Sequence, residues 1–506
     1  MKKCIFSMFV LFGTSTCFAQ KVSSDQITTW TREKLPKAIQ ELDATLSIPN
    51  NALVPENVKQ TLEWTHHAFE KRGFTQRELP TPGAPLLLAE RKVKKAKKTV
   101  MFYMHLDGQP VDPSKWNQDS PYKPVIRKHV GTTWKDVSPL EQKNGFDDEW
   151  RIFARSASDD TGPVVMFLSA IDLLDAHNRS SNYNIKVIMD PEEEMGSPHL
   201  PDAVLKYADD LKADRLIIFD GPRHISNAPT LTFGARGIAT ITLTVFGPRV
   251  PQHSGHYGNY APNPALELAQ LVGGMKDAGG KVVIPGFYDG VNLTADVKQL
   301  LSAVPDNEKT IRKNLGIRSI DNVGASYQEA LQYPSLNIRG INSGWVGPAS
   351  RTIIPATATA EIDIRLVVES KGPRLINLVK NYAIQQGFHI INGSQPTEGE
   401  RMNYDKLLYF SSTYSYPAFR TPILSDMGVW LNGAMKLAFG HDPIKIRTSG
   451  GSVPISPFVS TLNIPAVTVP TVNRDNNQHS PNENLRIGNF REGIMTITAI
   501  LATPYK

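Results

Sequence analysis

The chain has 506 residues, more than one hydrophobic core commonly serves, so the sequence predicts more than one domain. Its 40% apolar, 21% charged and 8% aromatic content is that of a globular protein and excludes a disordered or low-complexity chain. A net charge of +6, falling to +4 without Lys2 and Lys3, is too mild to predict nucleic-acid binding.

The first elements are read from the N-terminus. Lys2 and Lys3, an apolar stretch from Cys4 to Phe12 and small residues leading to Ala19 predict a cleavable signal peptide over 1–19, and hence an exported, periplasmic or secreted protein. Thr14, Ser15 and Thr16 make Cys17 a poor lipidation site, which favours cleavage after Ala19. Both cysteines leave with the leader, so the mature chain forms no disulfide. No later run of about 18 apolar residues exists to predict a membrane span.

Two helices are expected next, in "QITTWTREKLPKAIQELDATLSIPN" and "PENVKQTLEWTHHAFEKRGF", with Gly73 as a stop. Strand-like runs follow: "PLLLAE", "TVMFYMHLD", "NIKVIMDPEE" and "RLIIFDG", with an apolar helix, "TGPVVMFLSAIDLLDAH", between the middle two. This alternation predicts an α/β fold, a mainly parallel sheet with helices on both faces. The lysine cluster "ERKVKKAKK" between the first two runs reads as a solvated hairpin connection, since no aromatic interleaving accompanies it. From Gly237 the pattern changes to strand-helix-strand-strand-helix, which predicts a small α+β domain inserted into the first. Near Tyr416 the chain returns to a helix, "LSDMGVWLNGAMKLAFG", then "TSGGSVP", the strand "PAVTVPT" and "NNQHSPNENLRI".

Each of the last three strand runs ends in groups that bind metals: His105 and Asp107, Glu192 to Glu194, Asp220, with Asp159 and Asp160 in "SASDDTG" and His479 in "NNQHSPNE". A single aspartate after a strand is most often a turn or helix cap. Together, however, these residues supply imidazoles and carboxylates to the carboxyl edge of one sheet, where ligands of open α/β sheets bind. Two divalent ions about 3.5–4 Å apart need about this many ligands, and the absence of thiolates suits zinc, manganese or cobalt. The glutamate run can provide both a ligand and a base for an attacking water.

The motifs "HLDGQPV", "SASDDTGP", "EEEMGS", "FDG", "HSGHYGNYAPNP", "RTIIP…IDIRLV", "TSGGSVP" and "HSPNE" run in one order over nearly the whole mature chain. In this the sequence resembles the dinuclear zinc metallopeptidases that include carnosinase, bacterial dipeptidases, glutamate carboxypeptidase, aminoacylase and succinyl-diaminopimelate desuccinylase. The resemblance implies a catalytic domain over 20–237 and 417–506 and an inserted ferredoxin-like dimerisation or lid domain over 238–416. It implies that His105, Asp159, Glu194, Asp220 and His479 hold two divalent ions, zinc above manganese or cobalt, with Asp159 bridging and its bond to Asp160 cis. Asp107 would orient the His105 imidazole and Glu193 would be the general base, leaving Glu192 outside the pair.

From the inserted domain, His253 would reach into a partner subunit's site to stabilise the oxyanion, which requires a homodimer, and Arg365 would grip the substrate carboxylate. Thr352, Gly450, Gly451 and Ser452 would be further substrate contacts. Two positions depart from the family pattern: Thr161 stands where a lysine is common, and Ser449 where the carnosinase branch has glutamate. The expected activity is hydrolysis of a peptide or amide bond beside a free carboxylate, as a dipeptidase or carboxypeptidase acting on a small peptide. An N-acyl amino acid deacylase and a catalytically silent binding protein are the alternatives. The remaining histidines read as surface or packing residues, with His224 and His256 flanking motif positions, and Trp116, Trp134 and Trp150 read as packing.

Overall fold

The computed structural model describes residues 22–451 and 454–505; the expected signal peptide, with Cys4, Cys17 and Ala19, and the substrate contact expected at Ser452 lie outside the described residues. Among the described residues no helix is long and apolar enough to cross a membrane.

The larger domain is built on a mixed eight-stranded sheet in the order Thr75–Leu79, Leu86–Arg91, Asn184–Asp190, Thr99–His105, Arg215–Ile218, Ala466–Thr468, Thr230–Thr232 and Ile444–Ile446. Four neighbours at its centre, from Asn184–Asp190 to Ala466–Thr468, run parallel, so their carboxyl ends emerge along one edge. The central strand is apolar on both faces because both faces are covered. Val100, Phe102 and Met104 pack into a core with the helices Thr161–Ala176 and Ile487–Ala502. Met101 and Tyr103 turn the other way, toward Leu200, Ile455 and Phe458. Phe102 lies between Phe167 and Phe219, with ring centroids 5.3 and 5.7 Å away, and each ring so buried contributes roughly 2 kcal/mol.

One sequence reading is corrected. The lysine-rich segment after Arg91 does not close a hairpin, because Asn184–Asp190 inserts between Leu86–Arg91 and Thr99–His105 and pairs with both. The lysines are solvated as expected: Lys92, Lys94, Lys95 and Lys97 are exposed. The long stretch after Pro110 forms a small sheet of Val125–Val130, Thr133–Asp136, Arg151–Phe153 and Asn484–Arg486 beside the large one. Trp116 and Trp134 do pack, each against an arginine, Arg155 and Arg151.

The second domain is a sheet in the order Ser335–Asn342, Thr357–Leu366, Gly237–Phe246 and Leu407–Tyr416, with the short His389–Ile390 at the edge. In chain order this is 2-3-1-4, and from each crossover one helix packs on the sheet, Pro264–Gly273 and Gly372–Gln385, the ferredoxin-like arrangement. Ala239, Ile241, Leu243 and Val245 face those helices, while Thr240, Thr242 and Thr244 alternate onto the half-exposed face. Ile238 pairs with Tyr416, so the chain enters and leaves this domain at adjacent positions.

Three helices behind the central sheet are tied by one buried arginine. Arg72 donates to both oxygens of Glu41 (3.0 and 2.8 Å), on Ser24–Leu46, and to both of Asp172 (2.7 and 2.8 Å), on Thr161–Ala176. Lys34 adds a 2.6 Å bond to Asp172. Burial works against the Asp172 charge, but Arg72 and Lys34 outweigh it and hold its pKa below the ordinary value. A depressed carboxylate stabilises the fold above its unfolded pKa, near 4, and that stability is lost as pH falls through the folded value. We expect Arg72→Met to cost about 3 kcal/mol in urea unfolding at pH 7, by leaving two carboxylates short of a partner, and to flatten the loss of stability below pH 4. An unchanged midpoint at pH 7 would show that the tie carries no stability.

Candidate active site

The strand Thr99–His105 delivers His105, wholly buried, to the carboxyl edge, and the next turn places Asp107 beneath the neighbouring strand's end. The two Asp107 carboxylate oxygens accept the backbone N–H groups of Glu193 (3.1 Å) and Glu194 (3.0 Å). Asp107 thus positions the glutamates. Its backbone carbonyl lies 3.1 Å from His105 Nδ1, closer than its carboxylate at 3.4 Å. With Nδ1 so engaged, Nε2 is the imidazole atom that faces the site. Gly108 follows because the chain passes tightly here: a methyl group at this position would sit 2.1 Å from Ser156 Oγ.

Asp159 occupies the centre. Its Oδ1 is 3.0 Å from His105 Nε2 and its Oδ2 is 3.0 Å from His479 Nε2, which also lies 3.2 Å from Glu194 Oε2. The Asp159–Asp160 peptide bond is cis. Two groups of ligand atoms result, each within 4.8 Å: His105, Asp160 and Asp220, and Asp159, Glu194 and His479. Asp159 joins them through its contact with His105.

The electrostatics are those of crowded carboxylates. Burial pushes Glu194 up to about 7 and Asp220 up to about 6, and the Asp159 charge adds to both. Burial raises Glu193 well above the usual carboxylate range, as it does Asp160. Burial also opposes the Asp159 charge, but His105 and His479 outweigh it and hold this one carboxyl low. The same hydrogen bond holds His479 up at about 9. One oxygen of Asp160 is buried without a hydrogen-bond partner among the described residues. Imidazole and carboxylate donors in two groups, an excess of negative charge and an unpartnered buried oxygen fit divalent metal ions.

Asp159, Glu193, Asp220 and His479 line one cleft of about 850 Å³, and the turn Ser449–Gly451 lines the same cleft. Glu192 is buried beside Gly83 and belongs to neither ligand group. The other expected substrate residues sit on the inserted domain. His253 is exposed, accepts the Gly255 N–H (3.0 Å) and lies 4.8 Å from the His256 ring. Its strand pairs with Ile353–Ile354, and the exposed Thr352 accepts the Ser254 N–H (3.1 Å) through its carbonyl. Arg365 lies at the base of the inserted sheet, 3.6 Å from Asp363. His253, Thr352 and Arg365 are not among the residues lining the cleft of this chain.

Asp160, singled out in the sequence among the candidate ligands but left out of the ligand set the resemblance implies, completes a ligand group and also accepts the His105 backbone N–H (3.2 Å). Other contributors carry no role in the sequence reading. Gln109 donates to Glu194 (2.8 Å) and Gln478 to Asp159 (3.3 Å). Glu483, fully buried, accepts the backbone N–H groups of Ser156, Ser158 and Asp159 at 2.9–3.1 Å and pairs with Arg155 at 2.6 Å. It fixes the loop that presents Asp159. Its signal was its place in "HSPNE", four residues after His479. Of the flanking histidines, His224 pairs with Asp306 (2.9 Å), while His177 stacks on Trp30 at 3.8 Å as a packing residue.

The comparisons agree with this geometry. The family model of peptidase family M20/M25/M40 matches residues 101–503. The Cys-Gly metallodipeptidase of Saccharomyces cerevisiae is 26% identical over 434 residues, covering 82% of this chain and 81% of its own. The Beta-Ala-His dipeptidase of Homo sapiens is 27% identical over 428 residues, covering 83% and 77%. Among solved structures, an M20 family metallo-carboxypeptidase from Sulfolobus solfataricus superposes with a TM-score of 0.75 at 28% identity, covering 92% of this chain and 98% of that one. With a family match that runs from the strand of His105 to the last helix, and imidazoles and carboxylates at the sheet edge that fit divalent metal ions, this chain belongs to peptidase family M20/M25/M40 and is a metallopeptidase.

Proposed function

We propose that the protein is a dipeptidase, hydrolysing the amide bond next to the free carboxylate of a short peptide. The observation that carries this reading is Asp159 standing 3.0 Å from each of two imidazoles, with Glu193 on the same cleft wall. The naming of two relatives as dipeptidases supports the substrate class.

In this reading two divalent ions, zinc first, are held by His105, Asp159, Glu194, Asp220 and His479. When bound they supply Lewis acidity toward the scissile carbonyl and water, and positive charge against which the crowded carboxylates ionise. Glu193 takes a proton from the attacking water and returns it to the leaving amine, which its buried position beside Asp159 and Asp220 suits. Asp107 holds its backbone in place. Gly450, Gly451 and Ser452 contact the substrate, and Arg365 reads its carboxylate. His253, exposed and outside its own chain's cleft, serves a second subunit of a homodimer as oxyanion donor. The protein acts outside the cytoplasm after export.

The reading is tested with purified protein stripped by a chelator and reloaded with zinc, manganese or cobalt, on a panel of dipeptides, longer peptides and N-acyl amino acids. Metal-dependent cleavage of dipeptides supports it; cleavage of N-acyl amino acids alone replaces it with a deacylase. No turnover despite bound ions replaces it with a binding protein.

Glu193→Gln should lower kcat by about 10³ or more while the protein still binds its ions, because a proton acceptor is lost and no ligand is removed. Stripping the ions should lower the melting temperature as well as the activity, since it leaves the carboxylates uncompensated, and reloading should restore both. Glu483→Ala should weaken ion binding roughly 10-fold to 100-fold, by releasing the Asp159 loop, and should cost about 3 kcal/mol by leaving Arg155 buried without its partner. Ion titration and chemical denaturation of the same variant measure the two effects separately.

A further inference from the structure

A second cavity, of about 250 Å³, lies within the inserted domain. Its walls are mainly apolar and include Val282, Ile311, Leu315, Val323 and Leu336. It and the catalytic cleft share a single lining residue among those described, Tyr327. The partition is thin. A side chain placed at Gly450 would come within 3.2 Å of Leu331 and 3.8 Å of the Tyr327 hydroxyl.

Tyr327 opens the short helix Tyr327–Ala330, and a buried polar chain clamps that helix to the catalytic domain. His224, four residues after Asp220, lies 2.9 Å from Asp306, whose other oxygen accepts from Gln328 Nε2 (2.7 Å). The Gln328 carbonyl accepts from Gln332 (3.1 Å), and Gln332 in turn accepts from Arg447 and from Thr448 (3.3 Å), just before the Ser449–Gly451 turn. His224, Gln328 and Gln332 are all buried. Buried hydrogen-bond networks of this kind favour one geometry, and here they leave Gln328 Oε1 without a partner among the described residues. The helix that carries the ring, itself partly exposed, is thus held beside both the cleft and the cavity.

Its place relative to the substrate follows from Arg236. That residue donates its backbone N–H to the Gly451 carbonyl (3.3 Å) and its guanidinium to the Ser335 hydroxyl (3.2 Å), and Ser335 pairs with Arg365 in the inserted sheet. The second cavity, the Gly451 turn of the cleft and the strand that carries Arg365 thus meet at Arg236, and Tyr327 lines both cavity and cleft there.

We propose that Tyr327 is a specificity-determining residue for the substrate's C-terminal side chain: its ring shuts the apolar cavity off from the cleft and confines cleavage to substrates with a small residue there. This rests on the dipeptidase reading above. A pocket that ends on an aromatic wall rejects a larger side chain sterically, and removing the wall gives that side chain an apolar space to enter.

The experiment compares kcat/KM for Ala-Phe and Ala-Ala in the metal-loaded wild type, Tyr327→Ala, Tyr327→Phe and Tyr327→Trp. The wild type should favour Ala-Ala, Tyr327→Ala should raise the Ala-Phe to Ala-Ala ratio at least tenfold, and Tyr327→Phe should bring it back. Tyr327→Trp should not raise it. A ratio unchanged in folded Tyr327→Ala, or raised equally by Tyr327→Phe, overturns the proposal. If the wild type cleaves neither peptide, the dipeptidase reading has failed, and the wall is read instead by calorimetric binding of L-phenylalanine and L-alanine. A tenfold gain for L-phenylalanine alone in Tyr327→Ala then supports the wall, and equal changes overturn it.

Discussion

The structure depends on holding like charges together. Asp107, Asp159, Asp160, Glu193, Glu194 and Asp220 converge on one sheet edge, where His105 and His479 offset the Asp159 charge. Such a cluster is unfavourable in a low-dielectric interior unless cations compensate it. Its persistence in a protein of this size requires that its members be fixed by something other than one another. The parallel centre of the sheet does this, since strand ends set side by side cannot move apart without breaking the ladder.

The supports are arranged around Asp159 in layers. Glu483 gathers three backbone N–H groups of the preceding loop and is itself held by Arg155, which lies over the Trp116 ring. The helix Thr161–Ala176 begins directly after Asp160, packs its apolar length against the sheet, and is tied at Asp172 by Arg72 and Lys34. Order at the site is thus supplied from the core outward. Asp107 performs the same service for the glutamates, through backbone groups rather than side chains.

The inserted domain meets this rigid frame at its own buried contact, from His224 through Asp306, Gln328 and Gln332 to Arg447 and Thr448. That contact brings Tyr327 to the cleft, whereas His253 and Thr352 remain exposed at the short paired strands Gln252–His253 and Ile353–Ile354 of the same domain. One chain therefore supplies the edge of imidazoles and carboxylates and one wall, and leaves His253 exposed.

Much of this was legible in the amino-acid sequence because it is local. Apolar runs broken by His105, Glu193–Glu194 and Asp220 mark strands whose tips carry ligands, since a two-sided buried strand must end where its polar residues begin. The alternation of Gly237–Phe246 likewise showed a half-exposed sheet in a separate domain. What the tertiary structure decided is pairing through space. Whether Leu86–Arg91 met Thr99–His105 depended on a strand more than 80 residues later, which took the position between them. That Asp160 joins His105 and Asp220, that Glu483 holds a loop 324 residues before it, and that Tyr327 divides two cavities all follow from contacts between segments far apart in the chain. Local pattern records which face of an element is buried; it does not record which partner buries it.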